Sequence, residues 1–279
     1  MAGKLYLCAT PIGNLKDITF RVVETLKEVD LIAAEDTRHT LGLLNHYGIK
    51  AKLTAYHEHN KYDKAQELVA MLQEGQSIAL VTDAGTPGIS DPGEELVRMC
   101  IEAGIEVTSL PGACALVTAL SMCGLPSGKF VFEGFLPVNK SERKAALSRI
   151  RDETRTIVIY EAPHRIVKTL KELLDVLGDR NIRICKELTK IYETLMIVTV
   201  SEAVRHFEEN SPRGEMVVII EGANEAELEK ARINSWQQMS LEEHMSLYTC
   251  KGISEKDAMK QVASDRGVSK RDVYNRLKV

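Results

Sequence analysis

The sequence predicts an α/β fold of two α/β domains followed by a small helical appendage. In residues 1–125, short apolar or β-branched runs alternate with stretches of helical periodicity, which is the pattern of a parallel-rich sheet. In residues 126–224, two strand-like runs follow each other too closely for a crossover helix, so this second sheet is mixed and includes an antiparallel pair. Strand signals then stop, and residues 225–279 are predicted to be helical.

The first domain is predicted to contain five strands joined by helices. The strands lie near residues 5–9, 31–34, 52–55, 78–82 and 107–110. Helices fit near residues 19–29, 40–47, 64–74, 93–103 and 113–122, and Gly48, Gly75 and Gly104 stand where glycine caps end such helices. The pattern breaks at residues 123–129, CGLPSGK, which we interpret as the hinge to the second domain.

The rest of the chain has a different pattern. Its strands are predicted near residues 130–135, 156–160, 182–186, 194–200 and 216–220, and its helices near residues 141–151, 165–177 and 201–209. In the appendage, two short helices separated by Gly267, Val268 and Ser269 each have one apolar stripe, an arrangement that resembles a helix-turn-helix pair. A helical hairpin that only packs or dimerises explains the same pattern.

Composition favours a globular, cytoplasmic protein. Hydrophobic residues make up 44% of the 279, and no apolar run approaches the roughly eighteen residues that a membrane span needs. The six cysteines are scattered without a CxxC pair, so we expect reduced core residues. His57 and His59 have no second cluster at ligand spacing, so no metal site is predicted.

The net charge of −4 hides an asymmetry between the two ends of the chain. Residues 251–279 hold eight Lys or Arg and four Asp or Glu, so this tail is +4 and the preceding residues are −8. An acidic body with a basic end is compatible with nucleic-acid contacts at the tail.

The most informative segment is VTDAGTPGISDPG, residues 81–93, between a predicted buried strand and a predicted helix. Ligands of open α/β sheets sit at the carboxyl ends of strands. The segment contains Asp83 and Asp91 but no Lys, Arg, GK[ST] or GxGxxG, so phosphates are disfavoured. Backbone and carboxylates without a nearby cation suit a positively charged ligand, and S-adenosylmethionine has both an ammonium and a sulfonium. The alternative is a tight turn that binds nothing.

Two further loops follow strands of the same predicted sheet. They are ATPIGNLKD after the first strand and SLPGACA after the fifth. The second leads straight into a helix whose first N–H groups are open to an anion such as a carboxylate. Three such loops at one edge of a sheet predict a cleft.

Eight motifs in order, over residues 5–222, resemble the bacterial ribosomal RNA small-subunit methyltransferase I family. They are ATPIGNLKDIT, AAEDTRHTLGLL, TDAGTPGISDPG, SLPGACA, GFLP, YEAPHRI, KELTK and RGEMVVIIEG. The resemblance implies a fold similar to the tetrapyrrole methylases, S-adenosylmethionine held between two α/β domains, and a homodimer. It also implies methylation of the ribose 2′-oxygen of a decoding-centre cytidine in 16S rRNA. Tetrapyrrole methylases open with a GxGPGDP-like loop where this chain has ATPIGNLKD, which favours the RNA branch over a corrin or porphyrin substrate.

The resemblance also implies which residues form the cofactor cleft. They are the glycine-proline loop, the turn after the fifth strand and the end of a strand in the second domain, with Asp83, Ala84, Gly85, Ile89, Asp91, Pro111, Gly112, Ala113 and Tyr160 as the cofactor-binding candidates.

Polar clusters supply the candidates for chemistry and for RNA contacts. We favour the EDTR segment for catalysis, with Glu35, Asp36, Arg38 and, from the second domain, Glu161 as candidates. A helix N-terminal cap is the alternative for EDTR. RNA backbone contacts are predicted for Asn14, His164, Arg165, Lys186, Lys270 and Arg271. RNA bases often stack on aromatic rings, which makes Tyr56, Phe135 and Tyr160 candidates, with core packing as the alternative.

Two other functions remain open at the level of sequence. A small-molecule methylase of the tetrapyrrole type would share the cofactor but not the RNA. A regulator whose α/β body senses a ligand and whose tail binds DNA would turn over no methyl donor.

Overall fold

The computed structural model describes residues 2–277, apart from the side chain of Gln237. The chain divides into two compact units, one formed by Met1–Ile150 with Arg155–Glu221 and the other by Arg151–Thr154 with Gly222–Val279. Lys278 and Val279, which belong to the predicted appendage, lie outside the described residues.

The first unit contains two five-stranded sheets, of which the first is wholly parallel. Its strands have the spatial order β3-β2-β4-β1-β5. They are β1 (Lys4–Cys8), β2 (Leu31–Ala34), β3 (Leu53–Ala55), β4 (Ile78–Val81) and β5 (Glu106–Leu110). The predicted parallel sheet is confirmed, and the carboxyl ends of β1, β2, β4 and β5 meet at one edge.

Five helices follow these strands, and two of them begin about three residues earlier than predicted. They are α1 (Phe20–Glu28), α2 (Thr37–His46), α3 (Lys61–Gln73), α4 (Gly93–Glu102) and α5 (Ala115–Met122). Helix α2 begins at Thr37, not near residue 40, because Asp36 Oδ1 accepts the Arg38 N–H at 2.8 Å and caps the helix. The EDTR segment therefore lies at a helix N-terminus that faces the same sheet edge.

The second sheet is mixed, as predicted. Its order is β6-β7-β10-β8-β9, with β6 and β7 parallel and every other pair antiparallel. The strands are β6 (Phe130–Phe135), β7 (Thr156–Glu161), β8 (Asn181–Lys186), β9 (Thr194–Thr199) and β10 (Met216–Ile220), and the helices are α6 (Lys140–Ile150), α7 (Ile166–Leu177) and α8 (Val200–Glu209).

Helix α5 joins the two sheets. Its buried residues Leu116, Ala119 and Leu120 pack in one cluster with Val158 and Val217 of the second sheet. A helix assigned by sequence to the first domain therefore buries its apolar face on the second one. The predicted boundary between residues 125 and 126 stays a prediction.

The described residues of the second unit form four helices, two more than the sequence predicted. They are α9 (Glu225–Gln238), α10 (Leu241–Thr249), α11 (Glu255–Asp265) and α12 (Lys270–Leu277). Val262, Ala263 and Val273 form a small core, and the fully buried His244 accepts a hydrogen bond from Arg266 Nε at 3.0 Å. The unit therefore has an interior of its own. No helix among residues 2–277 has the length and apolarity to cross a membrane.

Candidate active site in the cleft between the two sheets

A cavity of about 1010 Å³ opens at the carboxyl ends of the strands in the first sheet, and the second sheet supplies its other wall. This volume is at the upper end of the usual range for small-molecule sites. Loops of the first sheet contribute Thr10, Ile12, Glu35, Asp83, Gly85 and Cys114, and the second sheet contributes Phe135, Tyr160, Cys185, Leu188 and Val217. The loops that the sequence predicted to form a cleft therefore do meet in one.

The loop after β4 is locked to the loop after β1 through Gly85. The Thr10 N–H donates to the Gly85 carbonyl at 2.9 Å, and the Gly85 N–H donates to the Thr10 carbonyl at 3.0 Å. Gly85 has a φ of +91°, a conformation that side chains with a Cβ rarely adopt. A Cβ at this position would lie 3.4 Å from Ile12 Cγ2. The wall of the cavity is thus bare backbone at this point.

Asp91 closes the same loop on itself. Its two carboxylate oxygens each accept the Gly88 N–H at 2.9 Å, and Oδ1 also accepts the Gly93 N–H at 2.8 Å. Burial raises the pKa of this carboxyl, while the backbone hydrogen bonds from Gly88 and Gly93 act in the opposite direction. Asp91 therefore shapes the loop from within as well as lining the cavity.

Glu35 and Asp83 make one side of the cavity acidic. Glu35 Oε2 accepts the Thr82 hydroxyl at 2.7 Å, and Asp83 Oδ1 accepts the Asp36 N–H at 3.1 Å. Burial raises the pKa of Asp83, and the nearby Glu35 carboxylate raises it further. A bound cation would relieve both effects, because it favours the ionised carboxylate.

Cations also line the cavity, but each lies next to an acid. Arg38 Nη2 lies 3.0 Å from Asp36 Oδ2, and Lys190 Nζ lies 3.3 Å from Glu187 Oε1. The hydrogen bond from the Arg38 side chain lowers the pKa of Asp36 to about 2. The Arg38 side chain is 91% exposed, so its guanidinium reaches solvent at the mouth of the cleft.

Six of the nine predicted cofactor-binding residues line the cavity. They are Asp83, Ala84, Gly85, Ile89, Asp91 and Tyr160. Pro111, Gly112 and Ala113 are not among the lining residues. Pro111 and Gly112 are exposed, the Ala113 carbonyl accepts the Thr86 hydroxyl at 3.0 Å, and a Cβ at Gly112 would lie 2.6 Å from Ala9 Cβ. The next two residues, Cys114 and Ala115, form the surface instead.

The four catalytic candidates separate into two groups. Glu35 and Arg38 line the cavity, and Asp36 holds Arg38 through Nε at 3.2 Å and Nη2 at 3.0 Å. Glu161 is fully buried and is not among the lining residues. The structure therefore does not bring Glu161 together with the EDTR segment.

The candidate RNA contacts are scattered over the molecule. The Asn14 N–H donates to Thr189 Oγ1 at 3.0 Å, and the Arg165 Nη2 donates to the Leu136 carbonyl at 2.6 Å. His164 is exposed and Lys186 half-buried. Lys270 and Arg271 begin α12 in the other unit.

Several lining residues were not predicted from the sequence, among them His39 and Lys190. Because α2 begins at Thr37, His39, Gly42 and Leu43 share one face of this helix, and all three line the cavity. Lys190 lies in the β8–β9 loop, where no sequence signal pointed to the cleft. Within residues 2–277, no group of three or more His, Cys, Asp or Glu is placed to hold a metal ion.

The fold and the position of the cavity define the class of protein. Residues 4–204 match the family model of the Tetrapyrrole (Corrin/Porphyrin) Methylases. The uroporphyrin-III C-methyltransferase of Thermus thermophilus, solved in complex with S-adenyl homocysteine, superimposes with a TM-score of 0.56 at 19% identity, over 78% of this chain and 97% of that one. At this identity the likeness concerns the fold alone.

Curated relatives narrow the class. The ribosomal RNA small subunit methyltransferase I of Halalkalibacterium halodurans is 50% identical over 273 residues, which are 98% of this chain and 94% of that protein. The protein of the same name from Escherichia coli O157:H7 is 54% identical over 223 residues, 79% of this chain and 78% of that protein. The chain belongs to the ribosomal RNA small subunit methyltransferase I family of tetrapyrrole methylases.

Proposed function

We propose that the protein transfers the methyl group of S-adenosylmethionine to 16S rRNA, at the ribose 2′-oxygen of a cytidine in the decoding centre of the small subunit. The observation that carries this proposal is the cavity at the carboxyl edge of the first sheet, whose β4 loop offers backbone and carboxylates and no Lys or Arg. The names of the relatives support the RNA substrate. A ribosomal substrate implies a cytoplasmic location, and the family resemblance implies a homodimer.

The lining residues suit a donor that has an ammonium, a sulfonium and a carboxylate together with a flat adenine ring. Glu35 and Asp83 supply negative charge, Gly85 lets the ligand approach the backbone, and Ile89 and Val217 supply apolar surface. The bound donor supplies a methyl group on a sulfonium. The protein aligns the ribose oxygen with that methyl group and excludes water, and alignment alone can supply about 7–11 kcal/mol of the barrier reduction.

Within this proposal, Glu35 accepts the proton of the ribose hydroxyl at Oε1. The hydrogen bonds of its side chain among the described residues use only Oε2, with Thr82 and the Asp83 N–H as donors. A positioned base contributes about 10²–10⁴-fold. Arg38, held by Asp36, grips an RNA phosphate at the mouth of the cleft. Glu161 has no part in this chemistry because its side chain is fully buried outside the cavity.

The proposed function is tested with purified protein, isotope-labelled S-adenosylmethionine and small subunits from a strain that lacks this modification. We expect label in 16S rRNA at one cytidine, and resistance of the adjoining linkage to alkali, because 2′-O-methylation removes the attacking hydroxyl. Large subunits and already modified small subunits are the controls and should take up no label. Label in a base, or donor binding without transfer to any subunit, would contradict the proposal.

The basic start of α12 gives a separate prediction about RNA binding. We expect the Lys270→Ala/Arg271→Ala variant to raise the KM for small subunits. We also expect the plot of log K against log salt concentration to become less steep. Its slope should decrease by about 0.7–0.9 for each contact between a cation and an RNA phosphate that the variant removes. Donor affinity, measured by calorimetry, should stay at the wild-type value.

The matched control removes two charges from α11 of the same unit. Lys256→Ala/Lys260→Ala changes the net charge equally, and Lys260 is already paired with Asp257 at 3.2 Å. If both double variants bind small subunits equally more weakly than the wild type, only the overall charge of this unit matters. If both bind small subunits as the wild type does, α12 has a packing role and no RNA contact.

A further inference from the structure

Phe135 is the most exposed of the three aromatic candidates. Tyr56 is 1% exposed, and its hydroxyl donates to the Pro92 carbonyl at 2.9 Å. Tyr160 lines the cavity, but its hydroxyl is held by the Leu116 N–H at 2.9 Å. Phe135 also lines the cavity and is 40% exposed. Its phenyl ring has no polar atom, so no hydrogen bond with water compensates for this exposure. Ligand sites are lined mainly by hydrophobic and aromatic side chains, and an open aromatic ring in such a cleft offers a face on which another flat group can stack.

A β-bulge directs Phe135 into the cleft. The pairing of β6 with β7 shifts register between Phe132 and Gly134, and Gly134 has a φ of +61°. A Cβ at Gly134 would lie 3.0 Å from Ser90 Oγ, so the bulge presses closely against the glycine-proline loop. Bulges beside active sites commonly re-aim a side chain, and here the next side chain is Phe135.

The residue after Phe135 is anchored by two arginines. The Leu136 carbonyl accepts Arg165 Nη2 at 2.6 Å and Arg143 Nη1 at 3.5 Å. Glu161 lies 3.4 Å from Arg165 Nε and 3.8 Å from Arg143 Nη2. Arg143 also donates to Glu172 Oε2 at 2.5 Å and to Thr169 Oγ1 at 2.6 Å, and the Thr169 hydroxyl in turn donates to Glu161. Buried ionic groups are weak evidence for stability, but a satisfied network fixes one conformation. The conformation fixed here is that of the segment bearing Phe135.

Phe135 also has an aromatic neighbour that limits its motion. Its ring centroid lies 5.5 Å from that of Tyr160 at an interplanar angle of 62°, a favourable edge-to-face arrangement. The ring is therefore held from the side by Tyr160 and from its backbone by the arginines, and it remains partly exposed.

We propose that Phe135 is a stacking surface for a nucleobase in the cleft, and that Glu161, Arg143 and Arg165 act as positioning residues for it. Two nucleobases enter the cleft in the proposed function, on which this inference rests: the adenine of the donor and a base of the RNA at or beside the target. Both offer the same chemistry, a flat heterocycle that stacks on an aromatic face.

The test compares Phe135→Ala, Phe135→Leu and Phe135→Tyr in the full-length protein. Alanine removes the ring, leucine keeps apolar bulk without a π face, and tyrosine keeps the ring. We expect the alanine and leucine variants to weaken binding of one nucleobase ligand by about 10- to 100-fold, the range of base–aromatic stacking, and the tyrosine variant to bind as the wild type does. Calorimetry gives the donor Kd, and filter binding and turnover give the subunit Kd, KM and kcat.

The donor Kd and the subunit Kd together show which nucleobase stacks on Phe135. A rise in donor Kd assigns adenine to Phe135, and a rise in subunit Kd and KM with unchanged donor Kd assigns an RNA base. The inference is overturned if the Phe135→Leu variant binds both ligands as the wild type does, or if Phe135→Ala changes neither Kd. Phe20→Ala, at a ring 91% exposed on α1, is the control for removing a phenyl group. The donor Kd and the subunit Kd are both measured without turnover, so they test the role of Phe135 alone. Failure of the wild-type protein to transfer methyl groups would instead contradict the proposed function.

A conservative variant tests the positioning residues independently. Glu161→Gln keeps the size of the side chain and one acceptor oxygen. Because the Ala162 N–H is bound by Oε1 and the Thr169 hydroxyl by Oε2, only one of these two donors keeps an acceptor oxygen, and the negative charge that faces the two arginines is removed. We expect it to raise the same Kd as Phe135→Ala, by a smaller factor, with no added effect when the two changes are combined. Full additivity of the two effects would show that Glu161 does not act through Phe135.

Discussion

The Gly85→Asp variant is expected to lose donor binding by about 100-fold or more while still folding. A side chain at Gly85 must adopt a left-handed backbone at φ +91°, which costs about 1–3 kcal/mol. Its Cβ would lie 3.4 Å from Ile12 Cγ2 and 3.7 Å from the Ala113 carbonyl oxygen, and the carboxylate beyond it would fill space along the bare backbone wall where the donor is proposed to bind. Calorimetric titration with S-adenosylmethionine measures the change in affinity.

Gly104→Asp is the matched control for the strain and the charge. Gly104 has a φ of +68°, and no atom lies within 4 Å of the position that its Cβ would occupy. The two variants therefore share the backbone penalty, but only Gly85→Asp fills the proposed donor site. We expect similar decreases in the free energy of unfolding and a decrease in donor affinity in Gly85→Asp alone. Wild-type affinity in Gly85→Asp would move the donor site away from this loop.

The sheets and the cleft were open to prediction because their signals are local. Buried strands such as β4 (Ile78–Val81) are short apolar runs followed at once by glycine, proline or a polar residue, and parallel strands place their following loops at one edge. The Gly85 loop was therefore predictable both as a turn and as a wall of the site. Helix α9 (Glu225–Gln238) lacked such a signal, because its polar sequence has no apolar stripe and none of its described residues is buried.

Two adjacent site candidates on the second sheet lie on opposite faces of their strand. Tyr160 and Glu161 are neighbours on β7, and side chains alternate between the faces of a strand. With Tyr160 on the cleft face, Glu161 must point into the opposite layer, where α6 and α7 pack. A motif that places two adjacent residues in one site ignores this alternation. The contribution of Lys190 had no comparable clue, because it depends on how the β8–β9 loop meets the first sheet.

The buried environment of Glu161 makes its removal costly for folding. Its side chain is fully buried and accepts the Ala162 N–H at 2.9 Å as well as the Thr169 hydroxyl. It also lies within 4 Å of two arginines, one of which, Arg143, has a side chain only 5% exposed. Glu161→Ala would leave two donors without their acceptor and a buried guanidinium with reduced compensation. Arg143 would keep Glu172 as a partner at 2.5 Å, so the loss comes mainly from the two donors without an acceptor. At about 1–3 kcal/mol for each buried donor, we expect a decrease of about 2–6 kcal/mol in the free energy of urea unfolding.

A surface carboxylate provides the control that separates burial from the removal of charge. Glu102 is paired with Arg98 at 2.6 Å, and both side chains are more than half exposed. Glu102→Ala should cost less than about 1 kcal/mol, because water replaces the missing partner. If Glu161→Ala unfolded like Glu102→Ala but had no turnover at unchanged donor and subunit affinity, Glu161 would act in the chemical step after all. If instead it is less stable, and the folded protein binds a nucleobase ligand weakly, the carboxylate acts by holding the Phe135 segment in place.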